Sequence, residues 1–168
     1  MINIHLLGPC CVQVKGTTIA HWPRKDALQL LKLLAVELEH RVSRRRINDT
    51  LWPATESNPE HRLNNALYGL RNALEPERQN RGHSSYVCAD TEAIWLAPPE
   101  AVWIDIDHFE RLLDIGLITQ DATREISEAI ALYRGDLLPQ DHAAAWTVSP
   151  RKHLRQRYLG ALRALSTR

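Results

Sequence analysis

Three observations predict an α+β domain followed by an all-α segment. The first stretch alternates apolar and polar residues between Gly/Pro breaks: Ile2, Ile4 and Leu6, then Val12 and Val14, then Ile19. Stretches with helical spacing follow between Pro23 and Leu74, and a second alternating pair lies between Tyr86 and Leu96. Beyond Pro98-Pro99 the alternation gives way to helical spacing. The change in pattern sets an expected boundary, with one domain over 1–99 and a second over 100–168.

The 168 residues, 44% of them apolar, can bury a core. No apolar run approaches the roughly 18 residues of a membrane span. Met1–Leu7 has neither a basic start nor a long hydrophobic region, so nothing suggests export. The cysteines, Cys10, Cys11 and Cys88, include no CxxC pair. That argues against a disulfide framework or a zinc site and for a reducing cytosol. Small apolar strand residues are the simplest reading of all three.

Net charge is +1, unevenly spread. Residues 1–90 carry 12 Lys/Arg against 9 Asp/Glu, and residues 91–168 carry 9 against 11. A basic half joined to an acidic half suits a binding module with a different kind of partner behind it. Affinity for phosphates depends on local clustering, so the totals alone decide little.

The elements follow in order. Gly8-Pro9 and Lys15-Gly16-Thr17 punctuate the opening alternation, which predicts a small antiparallel sheet of two or three strands. Pro23 opens the first helix, a favourable residue at the first helical position. Ala27, Leu30, Leu31, Leu34 and Leu38 form its buried stripe through about Glu39, with Arg24, Lys25 and Lys32 on the solvated side. Ser43 caps a second helix that Trp52-Pro53 ends. Arg44, Arg45 and Arg46 fill its first turn, where the helix dipole favours anions. They read either as a phosphate clamp or as an ordinary solvated charge run.

Pro53, Thr55, Glu56, Ser57 and Asn58 belong to a polar loop, and a third helix runs from about Glu60 to Leu74. Leu63, Ala66, Leu67, Leu70 and Leu74 make its inner stripe. Its outward face carries His61, Asn64, Asn65, Tyr68 and Asn72, with Arg62 and Arg71 at the margins. Three asparagines and no Glu or Lys is a poor choice for a merely solvated face, since Asn has mediocre helix propensity. Asn can bond adenine bidentately, Arg can bond guanine or a phosphate, and Tyr can bond the backbone. Gly69 costs about 1 kcal/mol against Ala in a helix interior, which makes sense if a backbone passes close by.

Tyr86–Ala89 and Ile94–Leu96 flank a turn at 90–93 and read as a hairpin, the wing of a winged helix. Asp90 and Glu92 make its tip acidic, so a wing that touches DNA is expected to do so weakly or through its base near Arg81, His83 and Ser84. Val102–Asp105 reads as an extended link. Helices are expected over about 107–116, 121–134 and 150–165, with Phe109, Leu112 and Leu113, then Ala122, Ile126, Ala129, Ile130 and Tyr133, then Leu154, Tyr158, Leu162 and Leu165 facing inward.

The stretches LLGPCCVQV, RKDALQLLKLLA, SRRRINDTLWP and NNALYGLRNAL resemble the OmpR/PhoB-type winged helix. VWIDIDHFERLL, ALYRGDLLP, AAAW and RKHLRQRYLGAL are similar to the opening helices of the bacterial transcriptional activator domain that can follow it. The resemblance implies an N-terminal antiparallel sheet, three helices and a C-terminal hairpin wing, then a tetratricopeptide-like segment. It implies that residues 61–72, Gly69 included, form a recognition helix in the major groove of double-stranded DNA. It also implies that the 53–59 loop can contact RNA polymerase, and that the helical segment engages other domains of a longer regulator or a homodimer partner. In the family several more helices follow, so the chain reads as part of a longer, cytoplasmic, nucleoid-associated regulator. Two features depart from the pattern: the acidic tip, and Gly69 where a basic residue commonly precedes the Leu-Arg pair.

An enzyme is the first rival, but no GxxxxGK[ST] loop, GxSxG elbow, HExxH or paired metal-ligand cluster is present. Asp105, Asp107 and His108 resemble a metal or acid–base group, yet Asp at a helix start is more simply an N-cap. No cofactor and no metal are expected. The stronger rival is a protein-interaction module without DNA binding, which near-neutral charge and an acidic wing would suit.

Overall fold

The computed structural model describes residues 1–53, 58–79, 83–119 and 122–167. The chain is mixed α+β and divides into two compact units, Met1–Asn3 with Val12–Trp103, and Ile4–Cys11 with Ile104–Arg168. Its elements in order are β1 (Ile2–His5), β2 (Cys11–Val14), β3 (Thr17–Thr18), α1 (Lys25–Val36), β4 (Arg41–Ser43), α2 (Arg44–Leu51) and α3 (Pro59–Leu74). After them come β5 (Val87–Ala89), β6 (Ala93–Leu96), β7 (Val102–Ile104), α4 (Asp105–Ile118), α5 (Thr123–Leu132) and α6 (Val148–Ser166). One sheet has the order β3-β2-β1-β7 and the other β4-β6-β5.

In the first unit, β2 and β3 pair antiparallel, with Val14 opposite Thr17. The two residues between them, Lys15 and Gly16, both have positive φ (49° and 82°). That conformation suits a two-residue hairpin turn, because its twist matches that of the strands. Helix α1 buries Ala27, Leu30, Leu31 and Leu34 as the spacing predicts. Its ends differ from the expectation. Pro23 lies outside the helix, Arg24 is the N-cap, and no side chain caps the first turn. The helix stops at Val36 because the chain turns extended at Glu37 and left-handed at His40. Leu38 therefore leaves the stripe and is 88% exposed, whereas Lys32, expected in solvent, is buried.

Strand β4 has no counterpart in the expected elements. It pairs antiparallel with β6, placing Arg41 opposite Trp95 and Ser43 opposite Ala93. A three-residue strand is too short for its alternation to stand out, so only its distant partner reveals it. Ser43 then caps α2, its hydroxyl accepting from Arg46 N at 3.1 Å. Helix α3 begins one residue earlier than expected, at Pro59, with Asn58 as N-cap accepting from His61 N at 3.1 Å. Its buried residues are Leu63, Ala66, Leu67, Leu70 and Leu74. Hairpin β5–β6 turns on Asp90, whose Oδ1 accepts from the backbone N–H groups of Glu92 and Ala93.

In the second unit, Phe109, Ile126, Ala129, Leu137 and Leu154 are buried. Tyr133 stacks on Tyr158 with ring centroids 4.2 Å apart and lies 5.7 Å from Phe109. Gly8 (φ 106°) donates its N–H to Asp136 O at 3.1 Å. A Cβ on Gly135 would stand 3.2 Å from the Gly8 Cα, so both positions serve a close backbone approach.

Asp105 corrects the sequence reading. The N-cap of α4 is Ile104, and Asp105 is the first helical residue, fully buried. Its carboxylate accepts from Leu6 N (3.0 and 2.9 Å) and Leu7 N (2.9 Å), tying the N-terminal segment to the helix. Burial pushes this carboxyl up to about 6, against the lowering effect of the backbone donors at Leu7, Leu6 and Ile106. Among the described residues, no helix is long and apolar enough to cross a membrane.

Candidate nucleic-acid interface

The candidate site lies wholly in the first unit, on α3, the start of α2 and the β5–β6 turn. Two physical facts place it. The leucine stripe of α3 faces inward, so positions 61, 64 and 68 must face outward. The antiparallel register of β4 with β6 then brings the first turn of α2 beside the hairpin turn, where Arg44 N donates to Glu92 O at 2.8 Å.

The three arginines do different things. Arg44 is half-buried and spans both neighbours: Nε donates to Asp90 O at 2.9 Å, and Nη1 donates to Asn64 Oδ1 at 3.0 Å and Glu60 Oε2 at 3.2 Å. Arg45 is 93% exposed and faces Asp49 at 3.7 Å. Arg46 donates to Glu37 Oε1 at 2.6 Å. All three have a carboxylate nearby, which tempers the cationic character of this turn.

Along α3, His61, Asn64 and Tyr68 are exposed and Asn65 is half-buried. Asn65 Nδ2 lies 3.1 Å from His61 Nε2. The Arg62 guanidinium sits over the Trp52 ring, 4.8 Å from its centroid, a cation–π arrangement that holds it at the edge of the face. Arg71 turns toward the hairpin, where Nε and Nη2 donate to Val87 O at 3.0 and 2.9 Å. Asn72 Oδ1 accepts from Arg78 Nη2 at 3.3 Å. A Cβ on Gly69 would stand 2.8 Å from Arg24 Cδ and 3.5 Å from Ala27 Cβ. Gly69 thus faces α1, and what approaches it is a side chain rather than the backbone the sequence suggested.

At the base of the hairpin, Arg78 Nη1 donates to His83 O at 3.1 Å. The Ser84 hydroxyl donates to the Glu75 carboxylate and accepts from Tyr86 N and Val87 N, so it organises the turn into β5. Asn58 serves as the α3 cap and Pro53 is exposed. Thr55, Glu56, Ser57 and Arg81 lie outside the described residues.

Two contributors were absent from the sequence reading. Arg41 donates to Asp90 Oδ2 at 3.0 Å and lies over the Trp95 ring at 4.2 Å. Backbone N–H bonds from Ala93 and Glu92, with Arg41 third, hold the Asp90 carboxyl down to about 2. The tip therefore stays anionic at any physiological pH. The other contributor is Trp52, the platform under Arg62. Arg41 could not be placed because β4 was not legible, and Trp52 carried only a stop signal. Between α3 and the hairpin lies a groove of about 660 Å³ whose walls include Arg44, Asn64, Tyr68, Arg71 and Thr91.

No family model and no curated protein matches this sequence. Among solved structures, the chain is similar to Mycobacterium tuberculosis EmbR, solved in complex with a low-affinity phosphopeptide. The TM-score is 0.79 at 18% identity, over 98% of this chain and 44% of that one. At that identity the likeness is one of fold, and this chain spans less than half the length of the protein whose fold it shares.

Proposed function

We propose that this chain is the DNA-binding part of a sequence-specific transcriptional regulator, an activator of the winged-helix type, with α3 as the recognition helix. The observation that carries the reading is the exposed face of α3. His61, Asn64, Asn65 and Tyr68 stand together on a helix whose opposite face is buried, beside an arginine braced by the hairpin. Amide, imidazole and phenol groups on an exposed helix are what base edges in a major groove require. Phosphate contacts fall first to Arg45, the most exposed of the three arginines, and to Arg46. The hairpin acts mainly as a brace for Arg44, since its tip is anionic.

The resemblance of the sequence to OmpR/PhoB-type regulators supports the same reading. It extends it to RNA polymerase as a partner of the 53–59 loop, and to a homodimer partner or further regulator domains at the helical unit. The chain acts without enzymatic chemistry, in the bacterial cytoplasm. Phosphopeptide binding stays with EmbR, most of whose length this chain does not cover.

The second reading, a protein-interaction module without DNA binding, is favoured by one fact. Each arginine of the first α2 turn already has a carboxylate partner. Fluorescence anisotropy on promoter DNA at several salt concentrations decides between the two. A DNA binder loses affinity as salt rises, with a log–log slope of about 0.9 per phosphate contacted, and replacing Arg44, Arg45 and Arg46 with Ala flattens that slope. Salt-independent behaviour of the intact chain on every sequence would leave the interaction module standing.

A further inference from the structure

The face of α3 presents two adjacent asparagines whose amides are held in opposite ways. Arg44 Nη1 lies 3.0 Å from Asn64 Oδ1, and a guanidinium can only donate. The Asn64 carbonyl is thereby turned to Arg44, and the groups it offers outward are its amide N–H donors. In this clamp the same guanidinium is also bound to Asp90 O and to the Glu60 carboxylate, which orients it toward Asn64. Asn65 is held one turn back by His61, with Nδ2 at 3.1 Å from His61 Nε2. An amide nitrogen can only donate, so Nε2 accepts in this contact, and Asn65 keeps Oδ1 and a second N–H available.

These two edges complement different bases. One acceptor beside one donor matches the N6 amino group and N7 of adenine. Donors alone match both O6 and N7 of guanine or O4 of thymine; at adenine only N7 accepts, and a donor placed toward N6 meets the amino group donor to donor. We infer that Asn65 is the adenine-reading residue of α3, and that Asn64, locked by Arg44, reads an acceptor edge and prefers guanine or thymine over adenine. The inference rests on the DNA-binding reading above.

The test is a random-sequence selection with the full chain, followed by competition titrations of each base change in the selected site. Wild type is compared with Asn65→Ala, Asn64→Ala and Arg44→Ala. Asn65→Ala should erase an adenine preference at one position, a loss of roughly tenfold to a hundredfold in discrimination, and leave the neighbouring guanine or thymine preference intact. Asn64→Ala should do the reverse. Arg44→Ala, which frees the Asn64 amide to rotate, should relax discrimination against adenine at the Asn64 position. A circular-dichroism spectrum and a urea midpoint close to those of wild type show that each variant is folded. An adenine preference that survives Asn65→Ala, or one lost in Asn64→Ala instead, overturns the assignment; unchanged discrimination in Arg44→Ala overturns the clamp. Failure of the underlying reading looks different, since the wild type itself would then bind no sequence in a salt-dependent way.

Discussion

Replacing Asp105 with Asn tests a fully buried carboxylate that accepts from two backbone N–H groups. The wild-type carboxylate satisfies two buried backbone donors, Leu6 N and Leu7 N, with contacts of 2.9–3.0 Å. An amide keeps one oxygen there and must turn its N–H groups toward a backbone N–H that also donates. A buried donor left in that position costs about 1–3 kcal/mol. The pH dependence is the sharper part. The folded carboxyl sits at about 6, against an ordinary value of 3.8. The folded state therefore binds a proton that the unfolded chain releases between these values. The stability linked to it is fully present below about pH 4 and lost as pH rises through about 6. Asn cannot titrate. Between pH 7 and pH 5 the stability difference between wild type and Asp105→Asn should therefore grow in favour of wild type by roughly 1–2 kcal/mol. His5, lowered mainly by burial and then by Arg134, contributes in the opposite direction, but it is present in both proteins and largely cancels. Urea titrations of both proteins at the two pH values measure the difference directly. A gap that is constant with pH, or that narrows as pH falls, would refute this account of Asp105.

Three further sites concern stability. Gly116→Ala should cost about 1–3 kcal/mol in thermal or urea unfolding, because its Cβ would stand 2.6 Å from Cγ1 of Ile126, a side chain only 1% exposed. Gly69→Ala meets Arg24 Cδ at 2.8 Å, but Arg24 is partly exposed and can swing aside. There the helix-propensity gain should hold the net change within about 1 kcal/mol. Ser43→Ala removes the acceptor for Arg46 N and should destabilise the first unit by about 1 kcal/mol, whereas Ser43→Asp should recover most of it.

The α3 stripe was legible because it is local: Leu63, Ala66, Leu67, Leu70 and Leu74 recur at the helical period, and that regularity needs no knowledge of what lies opposite. The hairpin around Asp90 was legible for the same reason, with turn residues between two apolar runs. Where the reading failed, the deciding partner was remote. Strand β4 depends on β6, 50–54 positions along the chain. Leu38 is the local exception, leaving its stripe because a left-handed His40 nearby turned the chain. Asp105 passed for an ordinary helix cap because nothing near it in sequence announces that Leu6 and Leu7 will point their N–H groups at it from 98–99 residues away.

The candidate site divides along the same line. Composition and period alone determined which side chains of α3 face outward, because the inner stripe leaves them no alternative. Tertiary structure decided what those side chains have left to offer. Asn64 and Arg44 are 20 residues apart, and Arg44 and Asp90 are 46 apart. Arg71 and Val87 are separated by 16. A hydrogen bond formed inside the protein uses a donor or acceptor that a partner can no longer have. The sequence lists the polar groups, and the fold subtracts those it has already used.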